Sequence, residues 1–131
     1  MILPEITPLT RPYWEGARAR RLLLQSCRRC ERVWHPPSPG CPHCGAPDPE
    51  WVDAGGTGRV HSFVVIREAA HPAAQGRLPV VVALVRLAEG PLFVCNLQGC
   101  APEDVRVEMP VRVDFESITD EIVLPQFRPA G

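Results

Sequence analysis

Cys27-Arg28-Arg29-Cys30 is followed, ten residues later, by Cys41-Pro42-His43-Cys44, and the spacing of these two pairs decides how the first part of the chain folds. Each Cys-x-x-Cys turn sets two sulfurs on one side of the backbone. Two such turns facing one another close a tetrahedral shell of four Zn–S bonds of about 2.3 Å. A shell filled by Cys27, Cys30, Cys41 and Cys44 leaves no position for water or substrate. The zinc, one per chain, is therefore read as structural: it activates no nucleophile and polarises no carbonyl. The alternative is a pair of disulfides or a redox dithiol. His35 and His43 are expected outside the ligand set, at the surface or behind the sulfurs, because four correctly spaced cysteines complete it.

Outward from the cysteines, the flanking residues predict a small three-stranded ribbon. Residues 21–25 (Arg21 to Gln25) form a brief apolar strand into the first turn, Val33-Trp34 a second strand stopped by Pro36-Pro37, and Glu50-Trp51-Val52 a third. Its apolar content is too small to fold alone, so the metal supplies stability that a core would otherwise provide. This is a zinc ribbon of the rubredoxin-like kind, assigned to residues 21–54. Upstream, in residues 1–20, an arm with Pro4 and Pro8 leads to Thr10 as N-cap and Pro12 in the first turn of a helix to about Ala19. Leu9, Tyr13, Trp14 and Ala17 fall on one face of it, and Arg11, Glu15 and Arg18 on the other. Tyr13 and Trp14 either cover the protein's own core or anchor a partner chain.

Downstream, Gly55-Gly56-Thr57-Gly58 marks a hinge, and residues 55–131 change to strand texture. Strands are expected at residues 60–67, 79–87, 91–97, 111–115 and 122–127, with a helical turn at Pro102-Glu103-Asp104. The first reads as apolar on much of both faces. Glu68 to Leu78 is a long Pro/Ala/Gly-rich loop containing His71. Five short strands with a helical turn between the third and fourth predict a closed barrel of the OB kind. The fold class is thus mainly β: helix, ribbon, five-stranded barrel.

Composition narrows the chemistry. The 131 residues include 14 basic residues, all arginine, so a lysine Schiff base is excluded. Net charge is −1 overall, and by segment it is −1 over residues 1–17, +2 over 18–53 and −2 over 54–131. A single-stranded nucleic-acid module is the alternative that an OB barrel beside a zinc ribbon raises. Such binders combine a positive groove with aromatic platforms, whereas this barrel half is net acidic and has only Phe63, Phe93, Phe115 and Phe127. Cys95 and Cys100 lie on or near an apolar strand, where buried inert thiols are the rule. No acid/base pair, phosphate-cradling glycine loop or Ser-His-Asp arrangement stands out, so catalytic residues are expected to be none. No run of eighteen apolar residues occurs and residues 1–10 lack a basic segment before an apolar one, which predicts no membrane span, no secretion signal and a cytoplasmic location.

Pro12-Tyr13-Trp14-Glu15-Gly16, Leu22-Leu23-Leu24-Gln25-Ser26-Cys27-Arg28-Arg29-Cys30, Pro36-Pro37, Cys41-Pro42-His43-Cys44-Gly45, Gly56-Thr57-Gly58-Arg59-Val60-His61-Ser62-Phe63 and Leu124-Pro125-Gln126-Phe127-Arg128-Pro129 occur in this order. The series resembles the zinc-ribbon/OB-fold family of acyl-CoA-associated proteins, from about Thr10 to Pro129. The resemblance implies an accessory subunit that binds a thiolase-superfamily enzyme and helps form its acyl-CoA site. Partners in the family include acetyltransferase, hydroxymethylglutaryl-CoA-forming and steroid side-chain retro-aldol enzymes. It carries over the four metal cysteines and no catalytic residue. On this reading Tyr13, Trp14 and Phe127 contact the partner, Phe127 because it begins a C-terminal tail that cannot bury itself well. Arg18, Arg20, Arg21 and Arg67 are candidates for the two or three cations a CoA needs.

Overall fold

The computed structural model describes residues 3–68 and 78–130. The helix α1 is Arg11–Arg18, with Pro12 in its first turn. Thr10 does not cap it as expected: its backbone is already helical and its hydroxyl makes no bond into the helix. Instead the Thr7 amide donates to Thr10 Oγ1 at 3.0 Å, and the Thr7 carbonyl accepts from the Thr10 and Arg11 amides, so a turn launches the helix. Its buried residues are Tyr13, Gly16 and Ala17. Leu9, expected on that face, lies before the helix and is exposed. Gly16 belongs there because a Cβ would stand 2.7 Å from Leu23 Cγ; only a bare backbone lets α1 approach the ribbon so closely.

The ribbon sheet has the order β2–β1–β3, with β1 Leu23–Ser26, β2 Val33–Trp34 and β3 Glu50–Asp53. Both pairings are antiparallel, Gln25 facing Trp34 on one side and Trp51 on the other. Buried Gln25 accepts the Ser38 amide at 2.7 Å and so ties the Pro-rich stretch after β2 to the sheet.

Five strands close the barrel in the order β4–β5–β6–β8–β7: β4 Thr57–Ile66, β5 Val80–Leu87, β6 Leu92–Leu97, β7 Pro110–Ser117 and β8 Val123–Pro129. A 3-10 turn at Pro102–Asp104 separates β6 from β7, as the sequence predicts. All pairs are antiparallel except β6 with β8, which run parallel. The two-faced apolar reading of β4 needs a correction. A bulge between Val60 and Ser62 shifts the register, so Val60 points into the core before it and half-buried Phe63 and Val65 after it. Val64 and Ile66 are turned outward and exposed.

One hydrophobic cluster joins all three parts: Tyr13 from α1, Leu22 and Leu24 from the ribbon, and Val60, Val85, Leu87, Phe93, Val111 and Phe127 from the barrel. The expectation that Phe127 starts a poorly buried tail is overturned. β8 pairs with β7 from Val123 through Pro129, and Phe127 is 0% exposed, its ring 5.7 Å from that of Phe93. The closure of the barrel carries the ladder to Pro129, two residues past the end of the strand expected at 122–127. The loop expected at Glu68 to Leu78, His71 included, lies mostly outside the described residues.

Candidate metal centre and acyl-CoA surface

The two Cys-x-x-Cys turns face each other beyond the open end of β1. Their four sulfurs all lie within 4.8 Å of one another, with Cys27 Sγ 3.5 Å from Cys44 Sγ and Cys30 Sγ 3.7 Å from Cys41 Sγ. A tetrahedral ZnS4 unit with bonds of about 2.3 Å has sulfur–sulfur edges of about 3.8 Å, so the arrangement fits one zinc ion. All four are free thiols, which removes the disulfide alternative. The turns are also built for thiolates. Cys27 Sγ accepts the Arg29 and Cys30 amides, each at 3.3 Å, and Cys41 Sγ accepts those of His43 and Cys44 at 3.3 and 3.4 Å. The Cys30 amide is the main influence that pulls the Cys27 thiol down to about 6. Cys27, Trp34, Cys41 and Ala46 form a second, smaller buried cluster around the site. The centre is a structural zinc site.

His43 is exposed, with its Nδ1 3.2 Å from Arg32 Nη1. His35 departs from the expectation of a surface or sulfur-backing residue. Its ring lies between Tyr13, at 5.4 Å and 31°, and Phe93, at 4.8 Å and 28°. Burial lowers its pKa to about 4, so the imidazole is neutral around pH 7. Neither its position in the chain nor its spacing from the cysteines signals this role. The one hint is the aromatic content of α1.

The expected partner residues part company. Tyr13 is 7% exposed and stacked into the core, and burial raises its phenol above the ordinary value. The premise that a chain this small lacks core to receive it fails, because ribbon and barrel share one core. Trp14 is half-buried, edge-on to Tyr13 at 4.9 Å. Phe127 is wholly internal, so neither it nor Tyr13 offers surface to a partner.

Three of the four candidate CoA arginines engage different partners. Arg21 forms a bidentate pair with Asp53, Nη2 to Oδ2 at 2.6 Å, and that pairing holds the Asp53 carboxyl below its usual range. Arg20 Nη2 donates to Ser117 Oγ at 3.0 Å, Arg67 pairs with Glu103 at 3.8 Å, and Arg18 is exposed at the end of α1. Cys95 is buried, with its thiol pushed up to about 12 by burial, as suits an inert core residue. Among the described residues no helix is long and apolar enough to cross a membrane.

Comparison with known proteins places this architecture. The profile of the ChsH2 rubredoxin-like zinc ribbon domain matches residues 14–50, and that of the ChsH2 C-terminal OB-fold domain matches residues 51–116. The chain belongs to the ChsH2 family. It is 47% identical over 118 residues to a probable enoyl-CoA hydratase alpha subunit of Thermomonospora curvata, covering 90% of this chain and 36% of that one. It is 33% identical over 121 residues to the 3-oxo-4,17-pregnadiene-20-carboxyl-CoA hydratase alpha subunit of Mycobacterium tuberculosis, covering 92% and 38%. This ChsH2-family chain therefore spans little more than a third of those relatives. A solved structure, the Ltp2-ChsH2(DUF35) aldolase, contains a chain that matches over 98% of this one and 100% of its own length, with a TM-score of 0.89 and 44% identity.

Proposed function

We propose that this ChsH2-family chain is a non-catalytic accessory subunit. It docks on a thiolase-superfamily enzyme acting on an acyl-CoA, a steroid side-chain thioester being one candidate, and helps form that enzyme's acyl-CoA site in the cytoplasm. The observation that carries this reading is the end-to-end match to a chain of an aldolase named for two components. The CoA thioesters in the names of the two hydratase relatives support the substrate class.

A surface suited to docking lies on the outer face of β4, β5 and β6. Register sets Val64 opposite Val82, Ile66 opposite Val80 and Leu84 opposite Val94, so six aliphatic side chains adjoin on that face. Val94 is 67% and Val64 58% exposed, and a contiguous outward aliphatic face of this kind marks an interaction surface. It takes the place of Tyr13 and Phe127 in the proposal, with Trp14 as a separate peripheral contact.

Co-expression with the thiolase-like enzyme, followed by size-exclusion chromatography and assays of each chain alone and together, tests the reading. Co-elution is expected, with turnover only when the enzyme is present. Val94→Glu should weaken association at least tenfold without lowering the melting temperature. Turnover by this chain alone, or failure to co-elute, would refute it.

A further inference from the structure

We propose that the cleft between Arg59 and Arg86, flanked by Arg112, binds the phosphate groups at the nucleotide end of coenzyme A. The assignment rests on the accessory-subunit reading for the identity of the ligand, and on the barrel's own geometry for the site.

Arg59 on β4 and Arg86 on β5 are directly opposite each other in register, and Arg112 on β7 is opposite Thr57, two residues from Arg59 on the same face. Like charges facing one another across a strand pair are destabilising, so such a row calls for a counter-charge. Among the described residues no carboxylate oxygen comes within 4.0 Å of any of the three; Arg11, Arg18, Arg20, Arg29, Arg32 and Arg106 share that lack, and what sets the three apart is the strand register that gathers them. The contacts these arginines do make orient them without neutralising them. Arg59 Nη1 donates to the Glu108 carbonyl at 3.0 Å, and Arg86 Nη2 donates to His61 Nδ1 at 3.4 Å. A guanidinium carries five donors, so most remain free.

Arg59 and Arg86 also border a concavity rather than a flat sheet, with Arg112 outside its lining. A cleft of about 490 Å³ opens between them, lined also by Thr57, Gly58, Glu108 and Pro110. Gly58 is required there: a Cβ would stand 2.5 Å from the Arg86 carbonyl oxygen, so a side chain would force apart the strands that hold the two arginines. Paired planar guanidinium groups suit the several oxygens of a phosphate better than a single carboxylate.

The cleft adjoins the aliphatic face, for Arg86 is two residues beyond Leu84 on the same side of β5 and faces Leu92 of β6. A ligand held by its phosphates here would extend along the proposed docking surface toward the enzyme. That face is aliphatic where a nucleic-acid strand would need stacking rings, and the positive row is only three residues long. Both features favour a short phosphorylated ligand over a polynucleotide.

The test is titration of the zinc-loaded chain with coenzyme A, followed by NMR shifts of backbone amides and arginine Nε–H groups. Pantetheine and a single-stranded oligonucleotide serve as controls. Saturable shifts are expected at Thr57 to Arg59 and at Arg86 with coenzyme A, and none with pantetheine. The double variant Arg59→Gln/Arg86→Gln should bind at least tenfold more weakly at unchanged melting temperature, while Arg86→Lys keeps part of the affinity. Shifts centred elsewhere, equal binding by the double variant, no saturable binding, or tighter binding of the oligonucleotide would each overturn the assignment. Co-elution of the same variants with the enzyme is scored separately. If the complex forms while coenzyme A ignores the arginines, the cleft is wrong and the accessory reading stands. If coenzyme A binds at the arginines but the chains do not co-elute, the cleft stands and the accessory reading is wrong.

Discussion

The imidazole of His35 sits between two aromatic rings that belong to different parts of the chain, Tyr13 of α1 and Phe93 of β6. Protonation would place a charge in that stack, which is why burial holds its pKa near 4 against 6.5 for a free side chain. The unfolded chain therefore binds more protons than the native one between these values. The resulting stabilisation is complete above about pH 6.5 and disappears as pH falls toward 4. It amounts at most to something on the order of 3 kcal/mol. His35→Phe should flatten the pH dependence of urea-unfolding stability across that window. An unchanged slope would show that His35 titrates freely. The carboxylates and zinc ligands contribute equally to both proteins, so the difference isolates the imidazole. Nothing in the local sequence Val33-Trp34-His35-Pro36 points to this stack, because its other members are about twenty residues before and sixty after.

At the level of the element, the ribbon divides into two halves with different sources of stability. β1 and β3 present Leu24, Trp51 and Val52 to the core shared with the barrel, whereas Trp34 belongs to the small cluster around the cysteines. Chelation of zinc, or Cys27→Ser, should therefore release the two cysteine turns and expose Trp34, while the β1–β3 amides stay protected in hydrogen exchange. Sites of this type contribute apparent binding energies of roughly 10–16 kcal/mol, so the local loss should be complete. Uniform loss of protection across the barrel would contradict the division. The cysteine turns and the strand positions were legible in the sequence, since spacing and alternation are local signals. The β4 bulge was not: inserting one residue reverses which side chains face inward, and Val60, Phe63 and Val65 reveal it only once β5 is paired against them. The row of Arg59, Arg86 and Arg112 was hidden for the same reason, as register alone brings it together.

Across the whole molecule, Phe127 is the residue on which helix, ribbon and barrel depend in common, buried with the Phe93 ring against it. Phe127→Ala should cost about 3–5 kcal/mol. Unfolding followed by tryptophan fluorescence should still coincide with that followed by far-ultraviolet circular dichroism, as one shared core requires. A loss below about 0.5 kcal/mol, typical of a surface position, would restore the view of a loose tail. The way the five barrel strands close has a consequence for encounters between copies of the chain. The joints of the ring are short: β7 pairs with β4 only from Thr57 to Arg59 and β8 with β6 only at Leu97, while the outer ribbon strands β2 and β3 are two and four residues long. Beyond Val60 the edge of β4 away from β5 carries no β7 ladder among the described residues, so the exposed Val64 and Ile66 sit beside backbone that a second copy can extend.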